Sequence, residues 1–348
     1  MGKLKKRKAL IFGITGQDGS YLAEFLLKKN YIVYGVKRRS SSANTERIDH
    51  IFDSINFKNK NFSIFYGDLA DGSNIFKLIN ALKPNEIYNL AAQSHVRVSF
   101  DVPEYTSDIT GMGSLRILEA IRSLKLKTKF YQASSSEMFG KLDKRKSIDE
   151  KTPFHPRSMY GVAKVFSYHT TVHYREAYNI FACNGILFNH ESPRRGPTFV
   201  TKKIVQGLVR IKKGIQKKII LGNLYSIRDW GHAKDYVESM WKILQFKKPD
   251  DWVIATNKES TVKNFINLAC KNLDISIKWI GRGMKEKAIN TKNNQIIIEL
   301  DKKFLRPTEV DYLKGNYTKA KKLLKWFPRY EVKELVKDMI VDELSRYN

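Results

Sequence analysis

The chain has 348 residues, 42% of them hydrophobic, and 63 Lys and Arg against 35 Asp and Glu give it a formal net charge of +28. That length suits one large domain or two modest ones; no run approaches the roughly 20 apolar residues of a membrane span, and the basic start runs into a strand without a signal-peptide core, so a cytoplasmic protein with no membrane partner is expected. Cys183 and Cys270 lie in apolar segments and read as buried thiols rather than a disulfide framework, and the seven histidines lack paired metal-ligand spacing, so no metal is expected.

The first predicted element is an apolar strand, Lys8-Ala-Leu-Ile-Phe12, which feeds into glycines 13, 16 and 19 and then the helical pattern Tyr21-Leu-Ala-Glu-Phe-Leu-Leu27. This is the grammar of a dinucleotide turn. Gly13 makes the tight turn, Gly16 lets the backbone approach a pyrophosphate, Gly19 permits close helix packing, and the helix N-terminus offers free N–H groups to the anion. A second strand over 31–36 ends at Lys37-Arg38-Arg39, where such a unit meets the adenosine ribose. An Asp or Glu there suits a free 2′-hydroxyl, whereas an arginine pair holds a phosphate dianion by bidentate, charge-assisted hydrogen bonds. The expected cofactor is therefore NADP rather than NAD.

Further strands are predicted over 62–66, 86–90, 127–133 and 180–187, with helical stretches between most of them. The alternation predicts an α/β fold, a Rossmann-type doubly wound parallel sheet, whose ligands lie beyond the carboxyl ends of the strands. Asp68-Leu69 follows the third strand, Ala91-Ala92-Gln93-Ser94 the fourth, and Ser134-Ser135-Ser136-Glu137 the fifth. Tyr160 and Lys164 stand one turn apart on the next predicted helix. An ammonium near a phenol stabilises the phenolate and lowers its pKa, so that tyrosine can accept a proton near neutral pH.

From about Asn189 the alternation breaks down, at Pro193, Gly196 and Pro197. The expected division is a dinucleotide-binding domain over 1–188 and a smaller, partly discontinuous C-terminal substrate-binding domain over 189–348, with the stretch 251–256 returning to the main sheet. Lysine pairs at 202–203, 212–213 and 217–218 form a basic region, but lysine is spread along the whole chain and no RNA- or DNA-binding motif occurs. Nucleic acid is not an expected partner.

The dinucleotide turn, the Tyr160–Lys164 pair and the serine-rich strand end together resemble the extended short-chain dehydrogenase/reductase superfamily, and Glu137 beside Ser135 resembles its dehydratase branch. Longer strings narrow the resemblance to the GDP-mannose 4,6-dehydratase family over nearly the full length. They are Gly13-Ile-Thr-Gly-Gln-Asp-Gly-Ser-Tyr-Leu22, Arg38-Arg-Ser-Ser-Ser42, Asn89-Leu-Ala-Ala-Gln-Ser-His-Val96, Gly185-Ile-Leu-Phe-Asn-His-Glu-Ser-Pro-Arg-Arg-Gly196, Arg228-Asp-Trp-Gly-His-Ala-Lys-Asp-Tyr236 and Arg306-Pro-Thr-Glu-Val310. The resemblance implies an NADP site of Gly13, Thr15, Gly16, Gln17, Asp18, Gly19, Arg38, Arg39, Asp68, Leu69, Leu90, Ala91, Ala92, Gln93, Ser94, Tyr105, Tyr160, Lys164, His190 and Arg195. It implies a GDP-sugar site of Ser94, Ser135, Glu137, Asn189, Val200, Lys203, Gly222, Arg228, Arg306 and Glu309, in which two arginines and a lysine suit a diphosphate.

Ser135, Glu137, Tyr160 and Lys164 form the implied catalytic set. Tyr160 takes the C4-hydroxyl proton as hydride passes from C4 to NADP⁺, and the resulting 4-ketone acidifies C5. Glu137 removes the C5 proton and assists loss of the C6 hydroxyl as water; hydride returns to C6, and Tyr160 or a neighbouring relay reprotonates C5. The implied product of GDP-mannose is GDP-4-keto-6-deoxy-mannose. Ser135 stands where many members carry Thr, and Met159 and Pro197 replace commoner residues, which keeps GDP-manno-heptose beside GDP-mannose as a substrate. The rival readings are a nucleotide-sugar 4-epimerase or reductase and, outside enzymes, a basic nucleic-acid-binding protein on a Rossmann scaffold. A homo-oligomer, dimer or tetramer, is implied, with the loop from Arg39 to Arg47 near a neighbouring subunit's cofactor.

Overall fold

Apolar runs rich in β-branched and aromatic residues set six parallel strands in the first half of the chain: β1 (Lys8–Phe12), β2 (Ile32–Lys37), β3 (Phe62–Tyr66), β4 (Glu86–Asn89), β5 (Lys129–Ser135) and β6 (Ala182–Leu187). The structure is a computed structural model that describes residues 6–41, 43–53, 61–142, 146–305 and 307–347. A seventh strand, β7 (Asp251–Ile254), pairs in parallel with β6, so the spatial order is β7-β6-β5-β4-β1-β2-β3. The order reverses between β1 and β4. At such a switch point the loops leaving the two strands diverge and open a crevice.

Helices cover both faces of the sheet. On one face α1 (Gln17–Lys28) and α6 (Ala233–Gln245) share a core with Trp252 and Trp326; on the other, α2 (Gly72–Leu82) and α3 (Gly113–Ser123) pack on Leu10, Phe12 and Phe130. Between α3 and α6 lie α4 (Met159–Tyr178) and α5 (Val200–Lys212). The helix α5 belongs to a separate core with α7 (Val262–Asn272), α8 (Val332–Ser345) and a four-stranded sheet made of Ile277–Ile280, Lys287–Asn290, Ile296–Leu300 and Ile219–Leu221. Residues from both halves of the chain therefore build the Rossmann layer. Among the described residues no helix is long and apolar enough to cross a membrane.

A buried polar cluster fixes the returning strand. The Asp251 carboxylate accepts from Arg175 at 2.9 and 2.8 Å, from Asn184 Nδ2 at 2.8 Å and from the Tyr168 hydroxyl at 3.0 Å, so one side chain joins β7 to β6 and α4. Burial opposes its charge, yet the Arg175 guanidinium and these donors hold the carboxyl below the usual carboxylate range. Asp251→Ala leaves Arg175 buried and unpaired, and urea denaturation is expected to show a loss of about 3–5 kcal/mol. A loss within 0.5 kcal/mol or so, typical of a surface position, would deny the cluster its role.

Candidate functional site

The crevice at the switch point is built on close backbone contacts. Gly13 leaves β1 with φ +84°, and a Cβ there would lie 2.8 Å from the backbone nitrogen of Ala91, just past β4. A Cβ on Gly19 would lie 2.2 Å from the Gly13 carbonyl oxygen, so α1 sits directly on the turn that precedes it. The Gly16 N–H donates to Gly13 O at 3.0 Å and closes the loop. Gly16 is also the N-cap of α1 and supplies no side-chain cap, which leaves first-turn N–H groups for an anion. A nicotinamide dinucleotide fits this bare cradle.

The serine-rich end of β5 and the start of α4 form the middle of the cleft. Ser135 Oγ accepts the Glu137 N–H at 3.2 Å and turns the chain into a short 3-10 segment, bringing the Glu137 carboxyl to the cleft with only 8% of the residue exposed. Opposite, Ser158 caps α4 through the Gly161 N–H at 3.1 Å and sets Tyr160 in the first helical turn. Lys164, one turn on, is 3% exposed and donates to Ala133 O at 2.6 Å.

The sequence predicts a phenol acidified by this lysine, and burial is the larger influence on both groups. Burial pushes Tyr160 up to about 12, with a hydrogen bond from Ser135 pulling the other way, while burial draws Lys164 down to about 8 against the pull of Asp18. The reason is geometric. The ammonium is directed to the Ala133 carbonyl and lies 5.7 Å from the phenol ring centroid, so desolvation outweighs attraction.

Beyond Glu137, Tyr160 and Lys164 the cleft, of about 440 Å³, continues to the second core. Arg228 donates to Ile227 O at 2.9 Å and lies 3.6 Å from Glu309 Oε1. Lys203, on the first turn of α5, donates to Ile220 O at 2.7 Å and crosses the Phe304 ring at 3.9 Å; burial and the Lys303 charge lower its pKa. Gly222 is needed bare, since a Cβ would meet Phe304 O at 2.6 Å. Asn189 Oδ1 is buried with no hydrogen-bond partner among the described residues.

Of the residues singled out by sequence, Gly13, Gly16, Gln17, Asp18, Gly19, Leu90, Ala92, Ser94, Ser135, Glu137, Tyr160, Lys164, Asn189, His190, Arg195, Val200, Lys203, Gly222, Arg228 and Glu309 line this one cleft. Thr15, Asp68, Leu69, Ala91 and Gln93 are outside its lining and serve the loops around it: Thr15 O accepts from Arg47 at 3.3 Å, and Asp68 Oδ1 takes the Ala70 N–H at 3.0 Å. Arg38 and Arg39 stand exposed just past β2, with Arg38 donating to the Tyr105 hydroxyl at 2.6 Å and Arg39 to Ser40 O at 3.0 Å. Arg306 lies outside the described residues. The cleft also holds residues the sequence did not single out, notably Phe199, Ser226, Trp230 and Phe304. Trp230 and Ser226 are each two positions from Arg228, a period-2 signal along an extended segment. Phe199 and Phe304 gave none, since each matters by lying under a cation: Arg195 at 3.6 Å and Lys203 at 3.9 Å.

The family described as GDP-mannose 4,6 dehydratase matches residues 10–339. The chain belongs to the GDP-mannose 4,6-dehydratase family. It is 50% identical to GDP-mannose 4,6-dehydratase of Vibrio cholerae, over 98% of this chain and 94% of that protein, and 52% identical to GDP-mannose 4,6 dehydratase 2 of Caenorhabditis elegans, over 98% and 90%. Solved structures with the same fold include UDP-glucose 4-epimerase with UDP-glucose from Thermotoga maritima, with a TM-score of 0.79, 22% identity and coverage of 98% and 99% of the two chains. RMD from Pseudomonas aeruginosa complexed with NADPH has a TM-score of 0.75, 18% identity and coverage of 98% and 100%.

The glycine contacts give a graded prediction. A Cβ at position 16 would lie 3.2 Å from Gly13 O, tight but adjustable, whereas one at 19 meets backbone at 2.2 Å. Gly19→Ala is therefore expected to cost about 1–3 kcal/mol and to exceed Gly16→Ala in thermal melting. The reverse order would mean that the turn is not packed as described.

Proposed function

We propose that the chain is a GDP-mannose 4,6-dehydratase, a hydro-lyase that uses tightly held NADP to convert GDP-mannose to GDP-4-keto-6-deoxy-mannose. The observation that carries the reading is the buried Glu137 carboxyl in one cleft with Ser135, Tyr160 and Lys164, between a bare dinucleotide turn and the Arg228–Lys203 end. A simple alcohol dehydrogenase has no use for that carboxyl. Acid–base tuning, at about 1.4 kcal/mol per pKa unit, matters here, because the site must run one proton transfer at oxygen and another at carbon.

A nicotinamide bound at the glycine turn would supply the hydride acceptor for C4 of the sugar and the hydride donor for C6. Tyr160 takes the proton from the C4 hydroxyl. Burial holds Tyr160 as a neutral phenol, so its own proton leaves to solvent before it accepts the C4-hydroxyl proton, and the Lys164 ammonium one turn on favours the phenolate that remains. Ser135, hydrogen-bonded to Tyr160, orients the sugar hydroxyl. Glu137 removes the C5 proton made acidic by the 4-ketone; as the C6–O bond breaks, the same carboxyl passes that proton to the departing hydroxyl, which leaves as water. Tyr160 or a neighbouring relay returns a proton to C5. Arg228 and Lys203 hold the diphosphate, with charge-assisted hydrogen bonds as the main attraction.

Glu137→Gln keeps size and much of the hydrogen bonding but removes the base. The variant is expected to oxidise C4 and stall, with reduced-nicotinamide absorbance that persists in single-turnover mixing and no loss of one water by mass spectrometry. Wild-type formation of the 6-deoxy-4-keto sugar would remove Glu137 from the C5 role. Tyr160→Phe is expected to slow turnover by on the order of 100-fold or more with little change in GDP-sugar affinity.

The choice of NADP rests on Arg38 and Arg39, exposed at the end of β2 with guanidinium groups available to a 2′-phosphate. The double variant Arg38→Ala, Arg39→Ala is expected to weaken NADP⁺ far more than NAD⁺ in calorimetric titration, by about 1.5–3 kcal/mol for each charged hydrogen bond lost. Equal losses would assign the arginines another role.

A further inference from the structure

Asp18 is out of place in an anion-binding turn. It stands in the first turn of α1, where the phosphates of the proposed cofactor come to rest, and an uncompensated negative charge there repels them. His190 supplies the compensation from the opposite wall. Its Nε2 lies 2.7 Å from Asp18 Oδ2 and its Nδ1 lies 2.8 Å from the carbonyl oxygen of Phe188. Neither a carbonyl nor an ionised carboxylate can donate, so both ring nitrogens are satisfied only when both carry protons. The ring also lies over Tyr236, with centroids 4.4 Å apart and planes 22° from parallel, an arrangement that favours a cation.

The surrounding charges leave this pairing intact. Glu191, next in sequence and 2% exposed, is engaged by Thr201 at 2.7 Å and by an ion contact with Arg195 at 2.8 Å, so it does not compete for the imidazole. Arg195 opposes protonation of His190 and favours the Asp18 carboxylate, which in turn favours the charged form of Lys164. Tyr236, on α6, is pushed well above its ordinary value by burial and stays neutral. Burial disfavours charge on both partners, yet the pair holds Asp18 below the usual carboxylate range and His190 above the usual imidazole range.

We propose that Asp18 and His190 are a charge-compensating pair: Asp18 keeps His190 as an imidazolium, and that cation cancels the repulsion Asp18 would exert on the dinucleotide phosphates. The proposal rests on the cofactor reading above. Asp18 is thereby a positioning residue, and its placement has a use of its own. With Gln17, whose amide donates to His190 O at 3.1 Å and accepts from Ser192 at 2.8 Å, it clasps the phosphate turn to the segment that continues toward the sugar end of the cleft. The sign with pH follows. The cation is fully present below the ordinary imidazole value and is lost as pH rises through the raised value of the folded protein, which leaves the Asp18 charge exposed to the phosphates and weakens binding.

The test is a double-mutant cycle read by calorimetric titration of NADP⁺ at neutral pH, with His190 also followed by NMR. His190→Gln is expected to weaken NADP⁺ about tenfold or more in the wild-type background and much less in the Asp18→Asn background, because removing the carboxylate removes the need for the cation. The wild-type imidazole is expected to titrate above about 6.5 and to move down in Asp18→Asn. A loss in His190→Gln that persists undiminished in the double variant would overturn the proposal in favour of direct contact alone, as would a wild-type His190 that titrates at or below the ordinary value. Absence of NADP⁺ binding by the wild type would instead sink the cofactor reading, while the NMR titration, which needs no ligand, would still decide the charge of His190.

Discussion

The whole site depends on how closely backbone meets backbone at the switch point. Gly19 rests on the Gly13 carbonyl and Gly13 rests on the chain leaving β4, at separations that leave no room for a side chain. These contacts aim the α1 N-terminus across the crevice and set the distance from the glycine turn to the segment after β4. From there the order of the sheet carries position outward: β4 pairs with β5, β5 with β6 and β6 with β7. Each strand delivers its last residues to the same edge. Ser94, Ser135 and Asn189 meet in one cleft because the strands that precede them are in register.

Electrostatics then divides the cleft. The side chains at its middle are buried, and desolvation is the largest influence on both Tyr160 and Lys164. That is why the lysine, tied to Ala133 O, serves first as a bond between α4 and β5 and only second as a charge beside the phenol. Toward the second core the lining turns cationic, with Lys203, Arg228 and Lys303, while Glu309 lies near Arg228. A buried middle flanked by charge suits a ligand that is neutral at one end and anionic at the other.

The strands and the dinucleotide turn were legible because their signals are local: an apolar run followed by glycines at fixed spacing needs no tertiary context to be read. Six strand predictions fall on β1 to β6 with shifts of a residue or two at the ends, and the stretch at 251–256 contains β7. Glu137, Tyr160 and Lys164 were legible through their string and spacing, but their acid–base state was not. Proximity of Tyr160 and Lys164 predicts a lowered phenol pKa; the depth of burial, which depends on β5, β6 and α4 together, reverses the direction. The aromatic floors under Arg195 and Lys203 were also out of reach, since Phe304 meets Lys203 only through the second core.

The segment from Leu187 to Lys203 joins these influences. It leaves the Rossmann sheet at β6, places Asn189 and His190 at the cleft, passes Arg195 over Phe199 and enters α5 with Lys203 in its first turn. It is held at both ends: by Gln17 and Asp18 on the cofactor side, and by Lys202, which donates to Pro193 O at 3.0 Å and pairs with Glu343 of α8 at 2.8 Å. The glycine turn and the Lys203 end of the cleft are thereby joined by continuous chain. Two separate apolar cores contribute to one cleft, and a single polar-clasped segment spans both.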